Sequence, residues 1–258
     1  MSSSQHVFLP HFTVTGEGPA LVLLHGFFMD SELFTRQVKQ FSQHWTVVCI
    51  DSRGHGETPH GNTPYTYWDQ ARDVIAVLDH LQITEAALVG HSQGGFIALR
   101  TALEYPSRVR ALAFIASESG PSPAEEQAGY RELFAAWDTH GPTPELTGPL
   151  AAQIIGDKAQ AEYWSQRWQQ RSDVPVAPAG QCLLDREDIT DRLGEITCPA
   201  MLVRGDQDQA ISAERAQPLI DGLAGMTSAV TIPGAAHAPQ LSHPAEVNEA
   251  LGAFLERL

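Results

Sequence analysis

Leu88-Val89-Gly90-His91-Ser92-Gln93-Gly94-Gly95 is the stretch that decides how this chain is read. It contains G-x-S-x-G, and it lies between an apolar strand pattern, Ala86–Gly90, and a helical one, Gly94–Glu104, that ends before Pro106. That placement predicts a sharp strand-to-helix turn whose neighbours must be small. The turn lifts the serine hydroxyl above a sheet and beside a helix N-terminus, where backbone dipoles favour developing negative charge. The string alone also surrounds structural serines. The strand before it and the helix after it make Ser92 a candidate nucleophile.

Working outward, short β-branched runs alternate with amphipathic segments. Ala20–Leu24 and Thr46–Ile50 read as buried strands, and Ser31–Ser42 as a helix with Leu33, Phe34 and Val38 on its apolar side. Gln70–Leu81 reads as a helix, with Val74, Ile75, Val77 and Leu78 at helical spacing, and Ala111–Ala116 as a strand. This alternation predicts an α/β fold, a mostly parallel central sheet with helices on both faces. His6–Thr15 is expected to add an antiparallel edge hairpin.

The rhythm changes after Ser117. From Ser119 to about Gly194 the chain is rich in Pro, Gly, Trp and Gln and shows no strand pattern. Tyr130–Trp137 and Gln160–Gln170 read as helices, with Pro142, Pro144, Pro149, Pro175 and Pro178 as breakers. The expectation is a helical cap inserted at about 119–194. The sheet resumes at Ala200–Val203, followed by a helix at Ala213–Gly222, a strand at Ala229–Ile232 and a closing helix at Ala245–Leu258. No repeat or linker divides the chain, so residues 1–258 read as a single domain carrying the cap.

Charge and composition exclude several classes of partner. A formal net charge of −15 would repel a phosphate backbone, which argues against nucleic acid. No apolar run reaches the roughly 18 residues a membrane span needs. The opening MSSSQHVFLPHF lacks the basic region and apolar core of a signal peptide, so cytoplasmic residence is the expectation. Cys49, Cys182 and Cys198 are odd in number and lack metal-ligand spacing; they read as buried reduced thiols, with no metal site.

A serine hydroxyl needs an adjacent base near neutral pH. In an elbow of this kind the acid and then the histidine follow the serine along the chain. Met201-Leu202-Val203-Arg204-Gly205-Asp206-Gln207-Asp208 leaves a strand and enters a turn with two aspartates. Three positions beyond Gly205 the loop turns back, which favours Asp208 as the orienting acid and leaves Asp206 to cap the turn. The last strand runs into Pro233-Gly234-Ala235-Ala236-His237, whose small residues let His237 approach the serine as base. Of the other histidines, His25 and His91 flank glycine turns and are expected to hydrogen-bond the local backbone. His55 belongs to the loop after Thr46–Ile50, and His243 should point outward beside Pro244.

Acyl transfer also needs donors aimed at the oxyanion. The backbone N–H of Gln93 is one candidate. The second is the N–H of Phe27, in His25-Gly26-Phe27-Phe28 after the Ala20–Leu24 strand, with Gly26 allowing close approach. The side chains of Phe27 and Phe28 read either as core or as pocket wall, and Phe28 is taken as a pocket residue.

Leu24-His25-Gly26, Asp51-Ser52-Arg53-Gly54-His55-Gly56, Gly90-His91-Ser92-Gln93-Gly94-Gly95, Gly205-Asp206-Gln207-Asp208 and Pro233-Gly234-Ala235-Ala236-His237 together resemble the small α/β-hydrolases. The resemblance spans both halves of the sheet and omits only the cap. Within that family it is greatest to the 3-oxoadipate enol-lactonase and carboxylesterase group. It implies a cofactor-free serine hydrolase acting on esters or lactones. The apolar underside a helical cap needs points to a small, mostly apolar substrate, and nothing in the sequence selects an oligomeric state. Dehalogenases and epoxide hydrolases of this fold carry aspartate where Ser92 stands, which argues against both. Carbon–carbon bond hydrolases share the triad and remain a rival. Cofactor-free dioxygenases tend to carry histidine where this chain has Gln93, and a non-catalytic ligand receptor would keep the same motifs. Of the cap aromatics Phe134, Trp137, Tyr163, Trp164 and Trp168, most are expected to pack the cap onto the sheet. Trp137 and Trp164 are taken as pocket walls because each follows an amphipathic segment.

Overall fold

The computed structural model describes residues 8–171 and 174–258. Seven strands among these residues form one sheet: β1 (Phe12–Thr15), β2 (Ala20–Leu24), β3 (Thr46–Ile50), β4 (Ala86–His91), β5 (Val109–Ile115), β6 (Ala200–Gly205) and β7 (Met226–Ile232), in spatial order β1-β3-β2-β4-β5-β6-β7. Only β1 is antiparallel; every other neighbouring pair runs parallel. All six residues of β4 are buried, as expected of an inner strand covered on both faces. At the outer edge β7 alternates between half-buried and exposed side chains.

The edge element differs from the hairpin expected over His6–Thr15. Phe12 to Thr15 pair with Ile50 to Val47, so the strand lies against β3 and has no hairpin partner among the described residues. His6 lies outside those residues.

The helices between strands are α1 (Thr35–Phe41), α2 (Tyr67–His80) and α3 (Gln93–Glu104). The stretch expected to form one helix over Ser31–Ser42 opens instead with a 3-10 turn at Ser31–Phe34. Helix α2 starts three residues earlier than its apolar spacing suggests, because Thr66 and Asp69 close a capping box.

Between β5 and β6 come α4 (Ala124–His140), α5 (Pro144–Ile155), α6 (Lys158–Gln169) and α7 (Ala177–Leu184). Three of the expected breakers do not break. Pro178 sits in the first turn of α7. Pro144 occupies the first turn of α5, and Pro149 sits inside it. The amide hydrogen bond lost at Pro149 is offset by pairing with α6, where Thr147 Oγ1 meets Ser165 Oγ at 2.7 Å and accepts from Gln169 Nε2 at 2.9 Å. Helices α8 (Ala213–Gly222), α9 (Pro239–Ser242) and α10 (Pro244–Leu255) complete the chain. No helix among the described residues is long and apolar enough to cross a membrane.

Strand register places the site. Leu24 pairs with Gly90, Gly90 with Phe114, Ile115 with Val203 and Gly205 with Ile232. The C-terminal ends of five parallel strands therefore lie side by side, and the loops after them gather along one edge of the sheet. Open parallel sheets place their ligands at this edge.

Candidate active site

Ser92 stands between β4 and α3 with φ 49° and ψ −114°. Non-glycine residues rarely adopt such a conformation, and the surroundings hold it there. Its N–H donates to Ile115 O at 2.9 Å, and its carbonyl accepts from Gly95 N–H at 2.9 Å and Ser117 Oγ at 2.9 Å. The glycines leave room for this turn: a Cβ on Gly94 would collide with the carbonyl of Leu24, and one on Gly90 with the backbone of Gly94.

The loop after β6 turns as its spacing suggests. Asp208, not Asp206, faces His237: its Oδ2 lies 2.9 Å and its Oδ1 3.1 Å from His237 Nδ1. Asp208 Oδ1 also accepts from the N–H groups of Ala210 and Ile211 at 2.9 and 3.0 Å. Burial opposes ionisation of Asp208, but His237 and these two amides outweigh it and hold its pKa below the usual carboxylate value. Asp206 instead accepts from Gly234 N–H at 2.7 Å, tying the acid loop to the histidine loop. With Nδ1–H committed to the carboxylate, the assigned tautomer leaves His237 Nε2 as an acceptor. Ser92 and His237 line the same cavity, with no hydrogen bond between their side chains among the described residues. Such contacts often tighten only when substrate is bound.

His91 differs from the local role expected of it. Its Nε2 reaches the backbone carbonyl of His237 at 2.9 Å, bridging the elbow to the histidine loop. His25 does bond locally, through Nδ1 to Gly26 O at 2.8 Å. Its Nε2 also accepts the Ser52 N–H at 2.9 Å, which anchors the loop after β2 to the loop after β3. That second loop is pinned by Asp51, whose carboxylate accepts from the amides of Ser31 and Glu57 at 2.8 and 2.9 Å. No backbone carbonyl takes the amides of Phe27 or Gln93 among the described residues. The Gln93 side chain accepts from the Tyr67 hydroxyl at 3.2 Å. His243 is half-buried at the start of α10, with Nδ1 on Ser242 Oγ at 2.9 Å.

The cavity over Ser92 has a volume of about 360 Å³, within the small-ligand range. Phe27 and Phe28 form part of its wall, together with Tyr130 and Leu133 from α4 and Leu150 and Ile154 from α5. The two tryptophans expected in the wall are not among its lining residues. Trp137 stands behind Phe28, the rings nearly parallel with centroids 4.8 Å apart. Trp164 is fully buried on α6 and lines a separate cleft with Glu32, Leu33 and Arg36. An apolar helix face meets several neighbours at once, and in α6 the large rings serve packing. Periodicity identified the face but not what it covers.

The polar part of the wall was not legible in the sequence. Glu118, Glu126, Arg186 and Arg215 all border the cavity. Buried Glu118 takes Arg186 Nη2 at 2.6 Å and Arg215 Nε at 2.8 Å, and Arg215 Nη1 also reaches Glu126 at 2.7 Å. These residues come from four separated segments with no shared motif.

A parallel sheet with one antiparallel edge strand, a strained serine between β4 and α3, and an Asp–His pair on the next loops define an α/β-hydrolase. The chain belongs to that family, whose sequence profile, described as alpha/beta hydrolase fold, matches residues 19–244. It is similar to the pimeloyl-[acyl-carrier protein] methyl ester esterase of Xanthomonas oryzae pv. oryzae, 31% identical over 95% of this chain and 98% of that one. The enzyme of the same name from Edwardsiella ictaluri is 32% identical over 92% of this chain and 93% of its own. Among solved structures, a thermophilic esterase from Thermogutta terrifontis has a TM-score of 0.87 at 24% identity, covering 96% of this chain and 93% of that one. The enol-lactonase from Burkholderia xenovorans has a TM-score of 0.86 at 21% identity, covering 95% and 96%. At those identities the two structures speak to the fold alone.

Proposed function

We propose that this protein is a serine hydrolase that cleaves a carboxylic ester, or a lactone, through an acyl-enzyme on Ser92, His237 and Asp208. The observation that carries the reading is the buried Asp208–His237 contact of 2.9 Å, made by a histidine that lines the same cavity as Ser92. His237 Nε2 takes the hydroxyl proton as Ser92 Oγ attacks the carbonyl carbon. Asp208 keeps the imidazole in the productive tautomer and stabilises the imidazolium. The free amides of Phe27 and Gln93 receive the oxyanion. The imidazolium then protonates the leaving alcohol oxygen, and water, activated by the same histidine, releases the acid. No metal or organic cofactor enters this sequence.

The helices from α4 to α7 act as the cap over the single domain, and their apolar side chains select the acyl or alcohol portion. The curated relatives suggest an acyl methyl ester as the first substrate class to test, in a soluble cytoplasmic enzyme. The test is a panel of p-nitrophenyl acetate, methyl esters of increasing chain length, a lactone and a vinylogous diketone, run on wild type and variants. Ser92→Ala and His237→Ala should each lower kcat by about 10⁴-fold, with the double variant little worse. Asp208→Asn should also lower it, and by more than Asp206→Asn. Wild-type turnover by Ser92→Ala would overturn the reading. Exclusive cleavage of the diketone would make it a carbon–carbon bond hydrolase instead, oxygen-dependent turnover a dioxygenase, and binding without turnover a receptor.

A further inference from the structure

We propose that a second cavity, between residues 60–66 with the first turn of α2 on one side and α7 on the other, binds a small carboxylate with a flat apolar body, and that Arg100 is the cation holding it. This cavity has a volume of about 650 Å³ and is walled by Pro64, Tyr65, Tyr67, Trp68 and Pro178, with Arg100 facing it from α3. Arg100 is only 2% exposed. Its guanidinium lies 5.7 Å from the Tyr67 ring centroid and 5.3 Å from that of Trp68. Two of its five N–H donors are used, on Phe96 O at 3.2 Å and Glu187 O at 2.8 Å. The other three have no protein acceptor, and no carboxylate lies within ion-pair distance, among the described residues.

A buried cation without a paired anion is costly, and the other buried arginine of this region, Arg186, has Glu118 at 2.6 Å. Burial pushes Arg100 down to about 10, still charged at neutral pH. Neither carboxylate on this cavity's wall pairs with it directly: Asp185 and Glu187 are exposed, their oxygens held by Gln181 Nε2 and Trp68 Nε1 at 2.7 and 2.8 Å, and the Glu187 charge favours the cation only from a distance. A formal charge of −15 disfavours anions at the surface at large, so the preference depends on the local low-dielectric wall. A carboxylate accepts paired N–H donors from a guanidinium, and an aryl or cyclic body fits between Tyr67, Trp68 and the prolines. Tyr67 also bonds Gln93, and Arg186 borders both cavities, so an occupant here would touch groups that frame Ser92.

The site is tested by binding, independently of any ester cleavage, with benzoate as probe and uncharged benzamide as control in titration calorimetry. Benzoate should saturate wild type with a Kd below about 10 mM, and benzamide should bind at least about tenfold more weakly. Arg100→Met should weaken benzoate by about tenfold or more. Ala177→Trp, which fills the cavity from the exposed first turn of α7, should do the same without touching the buried arginine. Leu150→Trp, which fills the cavity over Ser92 instead, should leave benzoate binding intact. Absence of saturable benzoate binding, equal affinity for benzamide, or loss in Leu150→Trp with retention in Ala177→Trp would each overturn the proposal. If Arg100→Met does not fold, Ala177→Trp decides it.

Discussion

His91 Nε2 lies 2.9 Å from the carbonyl oxygen of His237, so the residue preceding the elbow serine grips the backbone of the histidine facing it. A carbonyl only accepts, which assigns the proton to Nε2 and leaves Nδ1 as a buried, unpartnered atom beside Gly26. His91→Ala should therefore loosen the histidine loop and lower kcat by about 10²-fold, the cost of a misplacement of about 1 Å. His91→Gln, which keeps a donor, should recover part of that loss. Steady-state kinetics on both variants check it; equal, wild-type kcat values would remove the bridge from the mechanism.

Stability should depend on pH through buried neutral histidines. Burial, with like-charge repulsion from neighbouring histidines, holds His55 and His91 down to about 3. Unfolded, each takes a proton near pH 6.5; folded, neither does until the pH nears 3. Between those values the unfolded chain binds more protons, so stability rises with pH and levels off above about 6.5. The slope approaches about 1.4 kcal/mol per pH unit for each histidine, so roughly 3 kcal/mol is lost from both between pH 6.5 and 5. The depressed carboxylates Asp51 and Asp208 add their own loss only below about pH 4. Thermal unfolding should show a nearly constant Tm between pH 7 and 8 and a steep fall toward pH 5. His91→Gln should reduce that slope and leave the contributions of His55 and of His25, whose pKa burial also lowers.

Chain-length selectivity should follow the residues that line the cavity over Ser92. Leu150→Phe narrows it and should shift preference toward shorter acyl chains, by about tenfold in kcat/KM for a methylene that no longer fits. Trp164→Ala, in its separate cleft, should destabilise the fold by about 3 kcal/mol while leaving the chain-length profile unchanged. A changed profile in Trp164→Ala together with an unchanged one in Leu150→Phe would place the selecting wall elsewhere.

Arg215 joins the acid loop to the helices above it. Its Nη1 donates to Ala210 O at 2.8 Å, while the Ala210 N–H donates to Asp208 Oδ1 at 2.9 Å. The same guanidinium holds Glu118 beyond β5 and Glu126 on α4. Arg215→Gln removes one of two cations from buried Glu118 and should cost about 3 kcal/mol of stability. It should also lower kcat more than it changes KM, because the affected loop carries Asp208, the acid of the proposed mechanism. Glu126→Gln cuts only the link to α4 and should act mainly on KM. Urea denaturation and a kcat-against-KM comparison distinguish the two effects.

The elements and their order follow from local pattern, and the chain itself determined them. Val89 and Leu88 before the elbow, Gly90 and Gly94 around Ser92, and the late Asp208 and His237 are legible because each depends on its neighbours: a strand needs apolar runs, and a sharp turn needs small residues. That Asp208 rather than Asp206 meets His237 accords with its position three residues beyond Gly205. Features that depend on segments distant in sequence were decided by tertiary structure. Pro149 stays inside a helix because α6 pairs with that helix, and His91 finds its partner 146 residues away. Trp164 packs away from the cavity, while Glu118, Glu126, Arg186 and Arg215 converge on it. Helical periodicity reports that a face is buried; only the folded arrangement determines whether that face meets a neighbouring helix or open space above the serine.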